Sequence, residues 1–588
     1  MSGQAKNDNH NSIEEVAEFY QAIDRRSLMH KLSVDHPYVY TTMEIYDVKN
    51  GIRGAGGLGV LAADTRRCAE ELDLPFVVLT PFYRREGHQY MVDFQPYFQY
   101  IDKSPEKESF TRVGETTIQV KDQLPATLDV YTKVLGTTRF VCVTEPNFGM
   151  LYQGEPSSDH RLYQMVSLGF GGYAALKLLH LKPAVLQLNE TATVFAAVAR
   201  LDELCINGMS LYESIVYVRK HTLYTNHTLV QAAESEFSYD QFERYVLPNV
   251  KSPALRHFLR GLFNAGRLKL SSLTIELAEA KNAVAKLHAK VADYHDLSGE
   301  KVQFTPITNG IHLDTWLQPE IIEFYHQHNI IDKFNMPARD YQNKIYQAIT
   351  TNVDTLRQFK RLARKRLNHL LLQRKDQYGE TVQIPEDAVL FDYKRRFVAY
   401  KRPWLPFADI EQLKNILVKY NAHYIMAGMM AGNVGKGDTT YDRLQSMLRQ
   451  IAADPVLHER VHYIVDYDEA LATAISMGSD ISINVPIVGL EACGTSFMKD
   501  LGNLTLLVST NDGGVADVES SPAYIVRGDT EADEIKSLYL QMQRAAQACK
   551  EDVVWAQAAA DTLAAYLPVI SGSRMIRDYL KFLFKGVD

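Results

Sequence analysis

Glu491-Ala-Cys-Gly-Thr-Ser-Phe-Met-Lys499 is the most informative stretch of this chain, and it follows the apolar run Ile481-Ser-Ile-Asn-Val-Pro486. A strand, a turn of small residues and the start of a helix together point backbone N–H groups at an anion. A lysine one or two turns into that helix can hold a carbonyl cofactor as a Schiff base. Taken alone, the same pattern is more often a structural turn followed by a surface lysine.

Strand and helix patterns alternate regularly around this stretch, throughout the C-terminal half. Apolar, β-branched runs recur at 396–400, 423–427, 461–465, 481–485 and 504–508. Helical patterns lie between them, at 409–417 and 441–451. Strands that alternate with helices predict βαβ units and a parallel, doubly wound sheet.

The N-terminal half carries similar but less regular strand patterns, which predict a second α/β domain. These patterns lie at 74–80, 140–144, 185–189 and 215–218. A polar, helical stretch at about 317–377 joins the two halves. An Ala-rich helical stretch at 531–567 suits a terminal helix that packs back on the body.

The predicted architecture is therefore α/β, with two doubly wound, Rossmann-like domains that face a central cleft. A polar, flexible tail is expected at 1–18, the first α/β domain at 19–310 and the second at 311–588. Domains of this kind place a ligand in the cleft between the carboxyl ends of their strands.

Composition excludes several classes of function. The 588 residues are 46% hydrophobic and carry a net charge of −8, which gives no basic face for nucleic acid. No run of apolar residues predicts a membrane span, and the polar N-terminus lacks the apolar region of a secretory signal. The five cysteines are scattered and predict reduced thiols, with neither a disulfide framework nor a metal site. We therefore expect a cytoplasmic, globular protein.

A glycine loop spans residues 54–59 and spells G-x-G-x-x-G. The preceding residues 46–53 are not a convincing strand, and no acidic residue follows at the distance that a dinucleotide site requires. The loop and the helical pattern at 60–72 still predict a phosphate cradle, because glycines allow the backbone to approach closely.

A basic cluster spans residues 393–402, on and after a strand pattern. Most basic clusters are solvated faces, but this one is interleaved with apolar strand residues. Arg396 and Lys401 are expected to emerge beside the sheet, where two cations suit a phosphate dianion.

These segments resemble the α-glucan phosphorylases (glycogen, starch and maltodextrin phosphorylases) of the short bacterial and archaeal type. Residues 491–499 resemble the motif E-A-S-G-T-x-x-M-K, which carries the lysine that binds pyridoxal phosphate in that family. Residues 56–62 resemble G-G-L-G-x-L-A, and residues 396–402 resemble R-x-x-x-Y-K-R. Residues 308–316 resemble T-N-G-[IV]-x-x-x-x-W, which borders the active-site cleft.

Shorter segments match the family less specifically, but they occur in the same order along the chain as in the family. Residues 188–191 and 224–228 resemble segments that line the cleft below the donor sugar, although a capped strand end and a buried histidine explain them equally well. Residues 43–46 resemble the segment before the glycine loop, and Tyr467 resembles a tyrosine beside the cofactor. The resemblance covers most of the chain, from about Tyr40 to Asn511.

The resemblance implies the two-domain, GT-B type glycosyltransferase architecture and reversible phosphorolysis of α-1,4-glucan to glucose 1-phosphate with anomeric retention. It implies pyridoxal 5′-phosphate on Lys499, whose phosphate is the proton partner of the substrate phosphate. It also implies α-glucan, inorganic phosphate and glucose 1-phosphate as ligands, a homodimer, and no metal. Catalytic roles are implied for Lys499, Arg396, Lys401 and Glu491. Cofactor contacts are implied for Lys499, Gly56, Gly57, Thr495, Ser496, Tyr467, Arg395 and Lys401. Substrate contacts are implied for Asn309, Glu491, Cys493, Gly494, Leu58, His227 and Glu190.

The chain also departs from the family pattern. Cys493 stands where serine is usual, Ala192 where a histidine is usual, and Glu279 where the long enzymes place a glucose-contacting histidine. Asp468 replaces an arginine near the cofactor phosphate, and residues 484–490 differ from the short subgroup. These departures put acceptor preference and turnover in question.

Two other functions fit the same sequence. A nucleotide-sugar glycosyltransferase would use Arg396, Lys401 and Glu491 for a diphosphate, but it has no reason to keep Lys499. A glucan-binding relative with a decayed active site would explain the departures. A bound chromophore on Lys499 separates the phosphorylase from the transferase, and glucose 1-phosphate formation separates it from the binding protein.

Overall fold

Two separate parallel sheets organise the protein. The computed structural model describes residues 32–52, 54, 56–151, 155–229, 234–430 and 440–584. The tail predicted at 1–18 lies outside the described residues, and so does Ala55 of the glycine loop.

The strands of the N-terminal half form the first sheet and two short ribbons. Their bounds are β1 (Tyr38–Thr42), β2 (Phe76–Pro81), β3 (Arg85–Val92), β4 (Gln95–Asp102), β5 (Thr111–Ile118), β6 (Ala126–Leu135), β7 (Thr138–Thr144), β8 (Val185–Asn189), β9 (Thr222–Asn226), β10 (Glu236–Ser238), β11 (Arg267–Lys269), β12 (Ala280–Ala283) and β13 (Thr305–Pro306). The first sheet has the order β13-β12-β9-β8-β1-β2-β7-β6-β5 and is parallel except at β7-β6-β5. β3 pairs with β4, and β10 pairs with β11, both antiparallel.

The second sheet is parallel throughout and belongs to the C-terminal half. Its strands are β14 (Val389–Lys394), β15 (Ala422–Ala427), β16 (Val461–Ile464), β17 (Ile481–Asn484), β18 (Leu506–Thr510) and β19 (Tyr524–Val526). They lie in the order β16-β15-β14-β17-β18-β19. The order reverses beside β14, and in such sheets this switch point is where ligands bind.

Helices cover both sheets. Those of the first half are α1 (Gly57–Glu71), α2 (Asp159–Val166), α3 (Gly172–Leu178), α4 (Phe195–Ile206), α5 (Leu211–Lys220), α6 (Tyr239–Tyr245), α7 (Pro253–Gly261), α8 (Leu270–Glu276) and α9 (Lys286–Val291). Those that follow are α10 (Leu313–Trp316), α11 (Pro319–Gln327), α12 (Tyr341–Thr351), α13 (Val353–Leu371), α14 (Ile410–Lys419), α15 (Thr440–Ala453), α16 (Pro455–Arg460), α17 (Glu469–Gly478), α18 (Ser496–Gly502), α19 (Glu531–Cys549), α20 (Asp552–Ile570) and α21 (Gly572–Leu583).

The first sheet is buried on both faces, as parallel sheets are. Successive residues of β1 point to opposite sides, so Val39 packs in the core that includes α2 and α4. Tyr38 and Tyr40 pack in a second core, which includes residues of α1 and of the last helix, α21. The terminal helix therefore returns to the N-terminal half, and Met575 and Tyr579 are among its buried side chains.

The α/β class and the two parallel sheets confirm the predicted fold class. The strand predicted at 185–189 has the observed bounds, and those predicted at 74–80, 140–144, 423–427, 461–465, 481–485 and 504–508 are shifted by two residues or fewer. The single helical stretch predicted at 531–567 is two helices, α19 and α20.

Two predicted strands are wrong. Residues 215–218 lie inside α5, which begins with a capping box formed by Ser210 and Glu213. The cap and the apolar spacing of the helix outweigh the β-branched residues of that run. Residues 396–400 follow β14 in a loop that ends in a short 3₁₀ turn at Ala399–Lys401. The basic cluster therefore begins at the carboxyl end of the strand.

Helix α20 is the one helix of the described residues that is long and apolar enough, by composition, to cross a membrane. It is a core helix here, because Trp555, Leu563 and Tyr566 are fully buried against the rest of the protein. Its apolar composition therefore reflects packing in the protein core.

Candidate active site

A cavity of about 520 Å³ lies between the two sheets. It is lined by residues that follow β1 and β8 of the first sheet and β14 and β17 of the second. Every site residue that the sequence predicted lines this one cavity: Lys499, Arg395, Arg396, Lys401, Glu491, Asn309, Cys493, Gly494, Thr495, Ser496, Tyr467, Gly56, Gly57, Leu58, Glu190 and His227. Its volume is in the range of sites that hold small molecules and cofactors.

Lys499 lies in α18 and is almost completely buried. Its Nζ is 3.3 Å from the ring centroid of Trp316, a close cation–π contact. Among the residues that the structure describes, Nζ makes no hydrogen bond. Burial lowers the pKa of Lys499 to about 8, although Asp64 opposes that shift. A lysine in this state supplies neutral amine near physiological pH.

Arg395 and Lys401 converge on Glu491 from the carboxyl end of β14. Arg395 Nη2 donates to Glu491 Oε2, and Lys401 Nζ lies 3.5 Å from the same oxygen. Burial lowers the pKa of Lys401 to about 7, and Arg395 adds to that shift. Lys401 and Arg395 together outweigh burial and lower the pKa of Glu491. Two cations thus share one carboxylate, which leaves a positive excess for an anion.

Arg395 also has unused hydrogen-bond donors. Its Nε and Nη1 are buried and have no partner. Buried donors without partners are rare in native proteins, and a missing anion is one explanation. The backbone packs closely at this point, because a Cβ on Gly428, whose φ is 156°, would overlap the Arg395 carbonyl oxygen.

Arg396, which the sequence predicted as the phosphate ligand, lines the same cavity but is exposed. Arg395 precedes it and is buried. The next residue back, Lys394, pairs with Asp392 and Asp500, so its charge is already neutralised. Lys394 also lines the cavity, so Arg395 and Lys401 differ from it in sharing a single carboxylate, that of Glu491.

The glycine loop faces these cations from the first sheet. Gly56 N donates to Glu44 Oε2 at 2.9 Å, so Glu44 fixes the loop. A Cβ on Gly56 would come within 2.7 Å of Glu44 Oε1, and one on Gly57 would meet nothing within 4 Å. Gly56 is thus needed for packing, while the backbone of Gly57 is open to a ligand. No sequence pattern predicts this contribution of Glu44 to the loop.

The 491–494 turn is linked to Asn309. Asn309 Nδ2 donates to the Cys493 carbonyl oxygen at 3.1 Å, and Asn309 Oδ1 is buried without a partner. Burial raises the pKa of the Cys493 thiol, which therefore stays protonated. The replacement of the usual serine leaves this backbone contact in place.

The far end of the cavity is formed by Asn189, Glu190 and His227. His227 Nε2 is 2.7 Å from Asn189 Oδ1, so this nitrogen carries a hydrogen as the donor. Burial lowers the pKa of His227 to about 3, which makes it neutral. Glu190 has a φ of 78° and accepts from the His227 and Thr191 N–H groups. The strained backbone points to a site where geometry matters.

A sequence profile of the carbohydrate phosphorylase family matches residues 261–575, which is more than half of the chain. This chain belongs to that family. It is similar to the maltodextrin phosphorylase of Thermococcus litoralis, with 25% identity over 94% of this chain and 71% of that protein. It is also similar to the glycogen phosphorylase of Aquifex aeolicus, with 25% identity over 91% of this chain and 84% of the relative.

The glycogen phosphorylase of Mycobacterium tuberculosis is 24% identical over 90% of this chain and 68% of its own length. The predicted family is thus confirmed.

The sequence missed a group of buried charges beside Lys499. Trp316 Nε1 donates to both oxygens of Asp64, at 2.9 Å each. Arg67 Nη2 donates to Asp47 at 2.9 Å and to Glu469 at 3.1 Å. Asp64 and Arg67 lie one turn apart on α1, while their partners come from distant segments. Only this spacing on the helix was visible in the sequence.

Proposed function

We propose that this protein is an α-1,4-glucan phosphorylase that converts glycogen or maltodextrin and inorganic phosphate to glucose 1-phosphate with retention. The observation that carries the proposal is the meeting, in one cavity, of the buried Lys499 with the cations Arg395 and Lys401. A lysine with a lowered pKa suits a carbonyl cofactor, and the two cations suit phosphate. Membership of the family supports the same reaction.

The cavity fits pyridoxal 5′-phosphate. Lys499 has no competing hydrogen bond within the described ranges, and its pKa of about 8 favours attachment of an aldehyde. The free N–H groups of Arg395, the open backbone of Gly57 and the start of α18 at Thr495 and Ser496 provide donors for a phosphate. When bound, the cofactor supplies a phosphate group that exchanges a proton with the substrate phosphate.

The residues of the chain then have separate tasks. Arg395 and Lys401 hold phosphate close to the reacting sugar, and Arg396 lines the exposed side of the same region. An anion held there stabilises the positive charge that develops on the sugar during glycosidic cleavage. No carboxylate nucleophile is then needed, and Glu491 is free to orient the sugar.

Sugar recognition is assigned to the 491–494 turn and its partner. Glu491 can accept from glucose hydroxyls, while Asn309 has a free buried oxygen and Gly494 leaves room for the ring. A Cβ on Gly494 would come within 2.6 Å of Arg395 Nη2, so a larger residue would displace the arginine. Glu190 and His227, of which His227 is neutral, line the remaining volume, where the glucan chain would enter.

Phosphorolysis is tested by incubating the purified protein with maltodextrin, phosphate and pyridoxal phosphate. We expect glucose 1-phosphate with the α configuration, in amounts that depend on phosphate. Glucosyl transfer from a nucleotide sugar, without any dependence on pyridoxal phosphate, would favour the transferase alternative instead. Glucan binding with no product from either donor would favour the non-catalytic relative.

Replacing each of the neighbouring arginines tests phosphate capture. Each substitution by Ala removes charge-assisted hydrogen bonds worth about 1.5–3 kcal/mol. Arg396→Ala should raise the KM for phosphate roughly tenfold or more without changing the unfolding temperature, because Arg396 is exposed. Arg395→Ala should raise that KM at least as much and should also destabilise the fold, since Glu491 loses a buried partner.

The two variants control for each other. Unaltered phosphate kinetics in Arg396→Ala would show that Arg396 does not bind phosphate and would leave Arg395 and Lys401 as the phosphate ligands. Unaltered kinetics in both variants would contradict a phosphate site at the end of β14.

A further inference from the structure

Lys499 and Asp64 contact the indole ring of Trp316, and they come from the C-terminal and N-terminal halves of the chain. Lys499 Nζ lies over the Trp316 ring, 3.3 Å from its centroid. Asp64 lies at the ring edge and accepts from Nε1 with both carboxylate oxygens. Asp64 is fully buried, and Trp316 is 1% exposed. A buried ammonium and a buried carboxylate therefore share one apolar wall, where charges interact more strongly than in water.

Several other charged groups surround Asp64 and Lys499. Arg67 Nη1 is 3.5 Å from Asp64 Oδ1 and Arg67 also pairs with Asp47 and Glu469, so Asp64 is held on its other side. His312 adds a further favourable interaction with the Asp64 carboxylate. Around Lys499, Glu469 of α17 and Asp500 of its own helix favour the ammonium, while Lys394 of β14 opposes it. Asp64 has the largest favourable effect of these groups on the pKa of Lys499.

We propose that Asp64 is the counterion of Lys499, and that it holds the ammonium form over the Trp316 ring, beside the cavity in which the amine attaches the cofactor once it has lost its proton. Only the part that concerns cofactor attachment rests on the proposed function, because the interaction between the two charges requires no cofactor. Asp64 is a positioning residue, because it does not line the cavity and contacts Trp316, the ring that lies under the lysine nitrogen. Asp64 lies on α1 and Lys499 on α18, so the charge of the lysine depends on residues from both halves of the chain.

The pair is tested by the pH dependence of Lys499 acetylation. The full-length protein is first treated with hydroxylamine to free any carbonyl from lysine, then pulsed with acetic anhydride at a series of pH values. Mass spectrometry follows the peptide that contains Lys499, with the exposed Lys419 as internal reference. In the wild type we expect a labelling midpoint near the lysine's pKa of about 8.

Asp64→Asn keeps the shape and an acceptor for Trp316 but removes the charge. We expect the labelling midpoint to fall by about one pH unit, a tenfold change in the acid constant. The matched control is Glu70→Gln, which neutralises a residue of the same helix whose side chain is 39% exposed and pairs with Arg66. It should leave the midpoint unchanged. A folded Asp64→Asn protein with the wild-type midpoint would overturn the proposal.

A second variant covers the case in which Asp64→Asn does not fold. The coupling is reciprocal, so Lys499→Met should raise the pKa of Asp64, which burial already raises to about 6. The fluorescence of Trp316 reports that titration, and Trp404→Phe with Trp555→Phe removes the other two tryptophans. An unchanged midpoint in Lys499→Met would contradict the proposed interaction between the two charges. Either titration can succeed or fail whether or not pyridoxal phosphate binds, so the two proposals fail separately.

Discussion

Lys499→Ala should abolish glucose 1-phosphate formation and all retention of pyridoxal phosphate. Three buried lysines line the proposed site, and among the described residues Lys499 is the one with no carboxylate within 4.0 Å of its nitrogen. No neighbouring lysine can replace it, since Lys394 is paired with Asp392 and Asp500, and Lys401 lies beside Glu491. Phosphorolysis assays and the absorbance of the gel-filtered protein measure both losses.

Lys499→Arg is the matched control for charge. It keeps a cation beside Trp316 and Asp64 but cannot condense with an aldehyde. We expect it to be as inactive as the alanine variant and to be closer to the wild type in unfolding temperature. Activity in Lys499→Arg above about a hundredth of the wild-type rate would show that attachment to this residue is not required.

Glu491→Gln should lower the rate of phosphorolysis by about a hundredfold while the cofactor stays bound. One hydrogen bond between a sugar hydroxyl and a carboxylate is worth about 1.5–3 kcal/mol, and about 1.4 kcal/mol corresponds to a tenfold change in rate. The KM for phosphate should not rise, because the variant removes a negative charge that faces the anion site. Separate titrations of glucan and phosphate measure the two effects.

Cys493→Ser is the matched control within the same turn. Its observed contact is made by the carbonyl oxygen, so the side-chain change should leave activity within a few fold of the wild type. If Glu491→Gln instead loses the cofactor and keeps full activity in the loaded fraction, Glu491 is a structural partner of Arg395 and Lys401. Gln is preferred to Ala here because it limits the cost of leaving two buried cations with no polar neighbour.

Local patterns predicted the parts of the site that depend on short spacing. The strand–turn–helix arrangement around 481–499 and the glycine loop at 54–59 each need only a few neighbouring residues, and both segments reach the cavity. Buried runs such as 185–189 are strands because they are covered on both sides. The strand predicted at 215–218 is wrong because a helix buried on one face also carries apolar β-branched residues.

Other parts of the site depend on contacts that no local pattern contains. Asp64 and Trp316 are 252 positions apart and meet only because the two units face each other. The difference between Arg395 and Arg396 depends on where β14 ends, since adjacent residues after a strand point in different directions. Because β14 ends at Lys394, before the strand predicted at 396–400, Arg395 is buried at its end, while Arg396, the predicted phosphate ligand, lines the cavity from an exposed position.

Borohydride reduction of the purified wild-type protein, followed by peptide mass spectrometry, tests cofactor attachment at Lys499 most directly. We expect near-ultraviolet absorbance before reduction and, after it, the mass of reduced pyridoxal phosphate on the peptide that contains Lys499. The same sample should release glucose 1-phosphate from maltodextrin before it is reduced. A protein that stays colourless and unlabelled after incubation with excess pyridoxal phosphate would contradict the assignment of the cavity as a phosphorylase active site.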